Sequence, residues 1–271
     1  MGNINSSVRR KIGTAKNKHQ TGPESKAVSA LLIVDVQYDF IDGSLALKNC
    51  PSQHQGEHVI PIINKILHDI HFDVVVYTQD WHTHDHISFF ENLPLRAHLL
   101  AKDSKSIDEL KLFDTAVFVF ADDTRDKMSR VEQILWPTHC VQHSHGAELH
   151  KELSILKANK RREVIHLLKG YDSDIDSYSA FWDNQKIRET SLNSTLKESN
   201  VTHVFIVGIA TDVCVYSTAL HAVENGYKTY IVEDACRGVD VGNINLRLDE
   251  LINRNCVVIQ SNEIKTRLED I

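Results

Sequence analysis

The chain alternates between short unbroken apolar runs and longer stretches whose apolar residues fall at helical spacing. The runs are Ala30-Leu31-Leu32-Ile33-Val34, Val74-Val75-Val76-Tyr77, Glu163-Val164-Ile165-His166-Leu167-Leu168, Val204-Phe205-Ile206-Val207, Tyr230-Ile231-Val232 and Cys256-Val257-Val258-Ile259. Runs of this length, rich in β-branched residues, predict strands buried on both faces, as in a parallel sheet. Between them, 57–70 carries Val59, Ile62, Ile63, Ile66, Leu67 and Ile70 on one helical stripe, with Pro61 early in its length. Residues 215–223 predict a second helix closed by Asn225-Gly226, and 241–253 a third. The fold class is therefore α/β: a doubly wound parallel sheet with helices on both faces and right-handed crossovers.

Two stretches stand apart from this alternation. Residues 1–28 are polar and without periodicity, which predicts a disordered basic arm ahead of one domain over 29–271. Within that domain, 90–133 reads as a surface-lying insertion. Leu110, Leu112 and the run Val117-Phe118-Val119-Phe120 give it some packing of its own, and Asp122-Asp123 predicts a solvated turn.

Composition narrows the functional classes. At 271 residues and 42% hydrophobic, the chain can bury a substantial core, and a net charge of −7 argues against nucleic acid as a partner. Five cysteines without CxxC spacing predict neither a disulfide framework nor a structural zinc module, and fit a reducing, cytoplasmic setting. The arm adds one qualification. Gly2 after Met1, with Ser6 four positions on, matches the N-myristoylation pattern, and Arg9, Arg10 and Lys11 follow. An acyl chain with a basic patch would give reversible membrane contact.

Candidate chemistry gathers at the carboxyl ends of the predicted strands, where open α/β sheets bind ligands. Asp35 ends the first. Cys214, in Gly208-Ile209-Ala210-Thr211-Asp212-Val213-Cys214-Val215, sits where a strand gives way to a helix. There the unpaired N–H groups favour a thiolate and can hold an oxyanion. Lys169 ends the 163–168 strand and could lower the pKa of a neighbouring thiol. After the second strand, Asp80 and His82 are two apart, so an extended backbone points both to one side. A carboxylate with imidazoles suits zinc, iron or manganese. Trp136-Pro137-Thr138-His139-Cys140 offers a third ligand, and His86 a fourth or a group behind a metal-bound water. His84 reads as surface. The segment Tyr178-Ser179-Ala180-Phe181-Trp182 supplies aromatics for a pocket wall or for packing, and Asp35 could alternatively cap a following helix, although Gly43 and Ser44 favour a loop.

Over roughly 29–261 these motifs, in this order, resemble the isochorismatase-like cysteine hydrolases, and within them the nicotinamidases. They are Ile33-Val34-Asp35-Val36-Gln37-Tyr38-Asp39-Phe40, Thr78-Gln79-Asp80-Trp81-His82 with His86-Ile87-Ser88, the Trp136–Val141 stretch, Lys169-Gly170 and the Cys214 motif. The D-x-H and WPxHC pair separates metal-containing nicotinamidases from metal-free relatives. The resemblance implies a catalytic triad of Asp35, Lys169 and Cys214, and one divalent metal on Asp80, His82 and His139 with His86 close by. It also implies a cis peptide at Ile209-Ala210, an oxyanion site at the N–H groups of Ala210 and Cys214, and ring contacts from Phe40, Trp136 and Tyr178. The implied activity is hydrolysis of nicotinamide to nicotinate and ammonia through a cysteine thioester, in NAD salvage. A relative acting on another small amide or ureido compound, and a silent binding protein, are the alternatives. The arm and 90–133 exceed the minimal family pattern, and assembly, a homo-oligomer included, stays open.

Overall fold

The computed structural model describes residues 27–122 and 127–269; residues 1–26 of the arm, with the Gly2 pattern, and Asp123 lie outside the described residues. Six strands form one parallel sheet: β1 (Ser29–Val34), β2 (Val74–Asp80), β5 (Glu163–Lys169), β6 (His203–Ile209), β7 (Lys228–Arg237) and β8 (Val257–Ile259), in the order β5-β2-β1-β6-β7-β8. The apolar runs become strands because both faces are covered. In β1, Leu31 and Ile33 enter a core with Ile63 and Ile66 of α2 (Val59–Asp69) and Ile264 of α6 (Ile264–Glu269). Ala30, Leu32 and Val34 point the other way, to Leu192 and Leu196 of α3 (Leu192–Glu198), Ala219 and Ala222 of α4 (Tyr216–Glu224), and Leu248 and Leu251 of α5 (Val241–Asn253). Side chains alternate along a strand, so one run feeds both cores. No helix among the described residues is long and apolar enough to cross a membrane.

Two local expectations are corrected. The stretch after Asp35 is not all loop: Tyr38–Ile41 forms a one-turn helix, α1, before Gly43. The strand at Tyr230 runs from Lys228 to Arg237, past an irregularity where the register with β6 shifts between Ile206 and Gly208. The described residues of 90–133 form a packed layer: a 3₁₀ stretch (Phe90–Leu99) and an antiparallel pair, β3 (Thr115–Asp122) and β4 (Lys127–Ile134), which ends one residue beyond the expected boundary. Leu110, Ala116, Phe118 and Val131 pack with Ile87, Leu93 and Leu135 as a separate small core, while Leu112 is exposed.

Sheet register positions the chemistry. Asp80 and Lys169 are direct partners on β2 and β5, so neighbouring strand ends deliver a carboxylate and an ammonium to one place. Val34 pairs with Gly208, which brings Asp35 beside the Cys214 turn. Gly208 (φ 115°) is needed there, because a Cβ would fall 2.1 Å from the Val34 carbonyl oxygen.

Candidate active site

Asp35 leaves β1 with a left-handed backbone (φ 50°) and is fully buried. Its Oδ1 accepts the Thr78 hydroxyl at 2.6 Å, and its Oδ2 lies 2.9 Å from Lys169 Nζ. Burial pushes the Asp35 carboxyl up to about 6, against the opposing pull of Lys169. Lys169, also buried, donates to Asp80 Oδ1 at 2.5 Å and to the Ser177 carbonyl at 3.0 Å, and lies 3.5 Å from Cys214 Sγ. Burial alone would lower its pKa, but Asp35 and Asp80 outweigh that and hold the ammonium charged.

Cys214 sits in a π-helical turn (Thr211–Val215) between β6 and α4, after a cis peptide at Ile209-Ala210. The N–H groups of Val213 and Val215 both donate to the Ala210 carbonyl at 3.0 Å. Ligand atoms of Asp35, Asp80 and Cys214 lie within 4.8 Å of one another. The expected low thiol pKa is corrected here: burial pushes the Cys214 thiol well up, and Lys169 offsets only part of it. Burial thus opposes the thiolate that Lys169 favours.

Asp80, His82 and His139 converge as one buried group, with Asp80 Oδ2 3.6 Å from His82 Nε2 and 4.0 Å from His139 Nε2. Each imidazole is aimed by its other nitrogen: His82 Nδ1 bonds the Gly170 carbonyl and His139 Nδ1 the Pro137 carbonyl, both at 2.7 Å. With Nδ1–H committed as donor, the Nε2 lone pairs face the shared centre. Gly170 (φ 69°) also makes room, since a Cβ would lie 2.5 Å from His82 Cε1. His86 stacks on His82 at 4.0 Å and bonds Ser88 Oγ through Nδ1, leaving its buried Nε2 without a hydrogen-bond partner. An anionic oxygen, two oriented imidazoles and an orphaned ring nitrogen fit a divalent ion and a ligand of that ion. His84 is exposed, as expected, and Cys140 is turned to the Gly146 carbonyl.

Cys214, Asp80, His82 and His139 line one pocket together with Phe40, Trp136, Tyr178, Ala210 and Val213. The triad, the ligand set and the three aromatics predicted for the pocket are thus brought together, with Lys169 bridging the first two. Asp176, 3% exposed, lines the same cavity and was not foreseen. A ligand atom of Asp176 lies within 4.8 Å of those of His82 and His86, but it stands in a loop with no motif around it.

The model of the isochorismatase domain matches residues 29–263. A nicotinamidase of Acinetobacter baylyi is 36% identical over 237 residues, covering 87% of this chain and 94% of that protein. The solved structure of the yeast nicotinamidase bound to the inhibitor nicotinaldehyde is 30% identical with a TM-score of 0.69, covering 86% of this chain and all of that one. A pyrazinamidase of Pyrococcus horikoshii in complex with zinc is 26% identical, TM-score 0.58, with 86% and 98% covered.

Proposed function

Because the chain belongs to the isochorismatase family, we infer from its pocket that it hydrolyses nicotinamide to nicotinate and ammonia, a step of NAD salvage. The observation that carries this reading is the single buried lysine joining two groups across one aromatic cavity. Lys169 contacts Asp35 and Cys214 on one side and the Asp80–His82–His139 set on the other. Relatives named as nicotinamidases over nearly the whole chain support the substrate.

Phe40, Trp136 and Tyr178 would enclose the pyridine ring and hold its amide over Cys214. Asp35 takes the thiol proton as Sγ attacks the amide carbon; an acid with a pKa of about 6 is well matched to that exchange near neutral pH. Lys169, 3.5 Å from Sγ, stabilises the thiolate as it forms. The N–H groups of Ala210 and Cys214 hold the oxyanion. Asp35 then returns its proton to the departing ammonia, leaving a thioester, and next takes a proton from the water that cleaves it. A divalent ion, zinc or else iron or manganese, would be held by Asp80, His82 and His139 with His86 behind it, supplying a Lewis acid for the ring nitrogen.

Ammonia release from nicotinamide by the purified protein tests the reading, with chelation and zinc restoration as a second arm. Turnover that chelation abolishes and zinc restores is expected. Absence of turnover in the zinc-loaded protein would remove nicotinamide as the substrate.

A further inference from the structure

The accessory layer reaches the pocket through one side chain. Gln133, near the end of β4, is 1% exposed. Its amide nitrogen lies 2.9 Å from the Ile134 carbonyl oxygen, 2.9 Å from Asp176 Oδ2 and 3.3 Å from the Tyr178 hydroxyl. An amide nitrogen has two hydrogens, and the two shorter contacts use them. One bond ties the amide to its own strand, so the other is a donor fixed in direction and aimed at Asp176.

Asp176 has little else to hold it. Its Oδ1 accepts the Ser177 N–H at 2.7 Å, and Oδ2 receives Gln133. The same layer grips the preceding residues of this loop: Arg96 donates to Asp174 Oδ1 at 2.9 Å and to the Ser173 carbonyl at 2.8 Å, and Ile87 N–H reaches that carbonyl at 2.7 Å. Without Gln133 the buried Oδ2 loses its donor while Oδ1 stays on Ser177, so the carboxylate turns about that remaining bond to find a partner. That turn alters the cavity wall beside His82 and His86.

We propose that Gln133 is a positioning residue: through its amide the accessory hairpin fixes Asp176 on the metal-side wall of the pocket and so sets how tightly substrate and metal are held. The substrate half of this inference rests on the nicotinamide reading; the metal half does not.

The test uses Gln133→Met, which keeps the length and deletes the donor, alongside Asp176→Asn and the double variant. Expected for Gln133→Met is a KM for nicotinamide raised about tenfold with kcat within about twofold, the pattern of lost ground-state and transition-state binding alike. Zinc affinity, measured by chelator competition without substrate, should fall about tenfold in both single variants, the lower end of losses for groups behind metal ligands. The double variant should be no worse than Asp176→Asn, because the two act as one unit. Arg130→Ala, which breaks an exposed ion pair between this hairpin and Asp103, should leave KM and zinc affinity unchanged. Should Gln133→Met fail to fold, Gln133→Asn repeats the test with the amide withdrawn by one carbon. Wild-type KM and zinc affinity in the folded Gln133 variant would overturn the proposal, as would full additivity in the double variant. If the wild type leaves nicotinamide untouched, the substrate reading fails and zinc affinity alone decides: a parallel loss in both single variants supports positioning, and wild-type affinity in Gln133→Met overturns it.

Discussion

Lys169→Met tests the charge balance on which the site depends. The ammonium is fully buried between Asp35 at 2.9 Å and Asp80 at 2.5 Å, both nearly without exposure. At an effective dielectric of about 20, each contact corresponds to roughly 6 kcal/mol of attraction, much of it offset by the desolvation of the partners. Methionine fills similar space and removes only the charge. Asp80 would keep His82 and His139 nearby, whereas Asp35 would keep the Thr78 hydroxyl at 2.6 Å and the neutral Cys214 thiol but no positive charge. Breaking a buried pair by deleting one member costs about 3–5 kcal/mol. For a domain of this size that is a Tm loss of about 6–20 °C. Urea unfolding at pH 7, in metal-free and zinc-loaded protein, measures it, with the larger loss expected in the metal-free form. Lys169→Met/Asp35→Asn should recover most of the stability, because the stranded charge is gone. A Lys169→Met protein with unchanged Tm, or a double variant less stable than the single, would refute the argument.

The other expectations are briefer. Cys214→Ala should abolish hydrolysis while leaving nicotinamide binding, followed by calorimetry, close to wild type; turnover well above background would remove Cys214 as nucleophile. Burial raises Asp35 to about 6, and its work needs the carboxylate, so kcat/KM should fall as pH drops through about 6, an acid limb that Asp35→Asn should eliminate with most of the activity. His139→Ala should lower zinc affinity by at least the 10–100-fold expected of groups behind a ligand, and one retained equivalent with normal KM would make that loop structural only. Acylation of Gly2, with its reversible membrane contact, predicts a myristoyl mass on the N-terminal peptide from cells and a shift to the soluble fraction on Gly2→Ala; a free or acetylated Gly2 would dismiss it.

The parallel sheet was legible because strands covered on both faces must be apolar at nearly every position, so β1, β2 and β6 spell themselves out as runs. The motif residues were legible for a related reason: Asp35, Asp80 and Cys214 lie at or just beyond strand ends, where the fold exposes side chains to one crevice. Sequence order did not reveal who meets whom. Lys169 reads as a helper of the thiol, yet the register that sets it opposite Asp80, 89 positions away, makes it the link to the Asp80–His82–His139 group as well. The thiol's pKa also depended on the packed site, since the helix end that favours a thiolate is local while the burial that opposes it comes from the whole pocket. Asp176 and Gln133 carried no local signal. Their importance arises from a contact across 43 positions, between a loop without motif and a hairpin whose strands do not alternate apolar with polar residues. Periodicity records which face of an element is covered; only the assembled structure decides which polar group a buried carboxylate finds there.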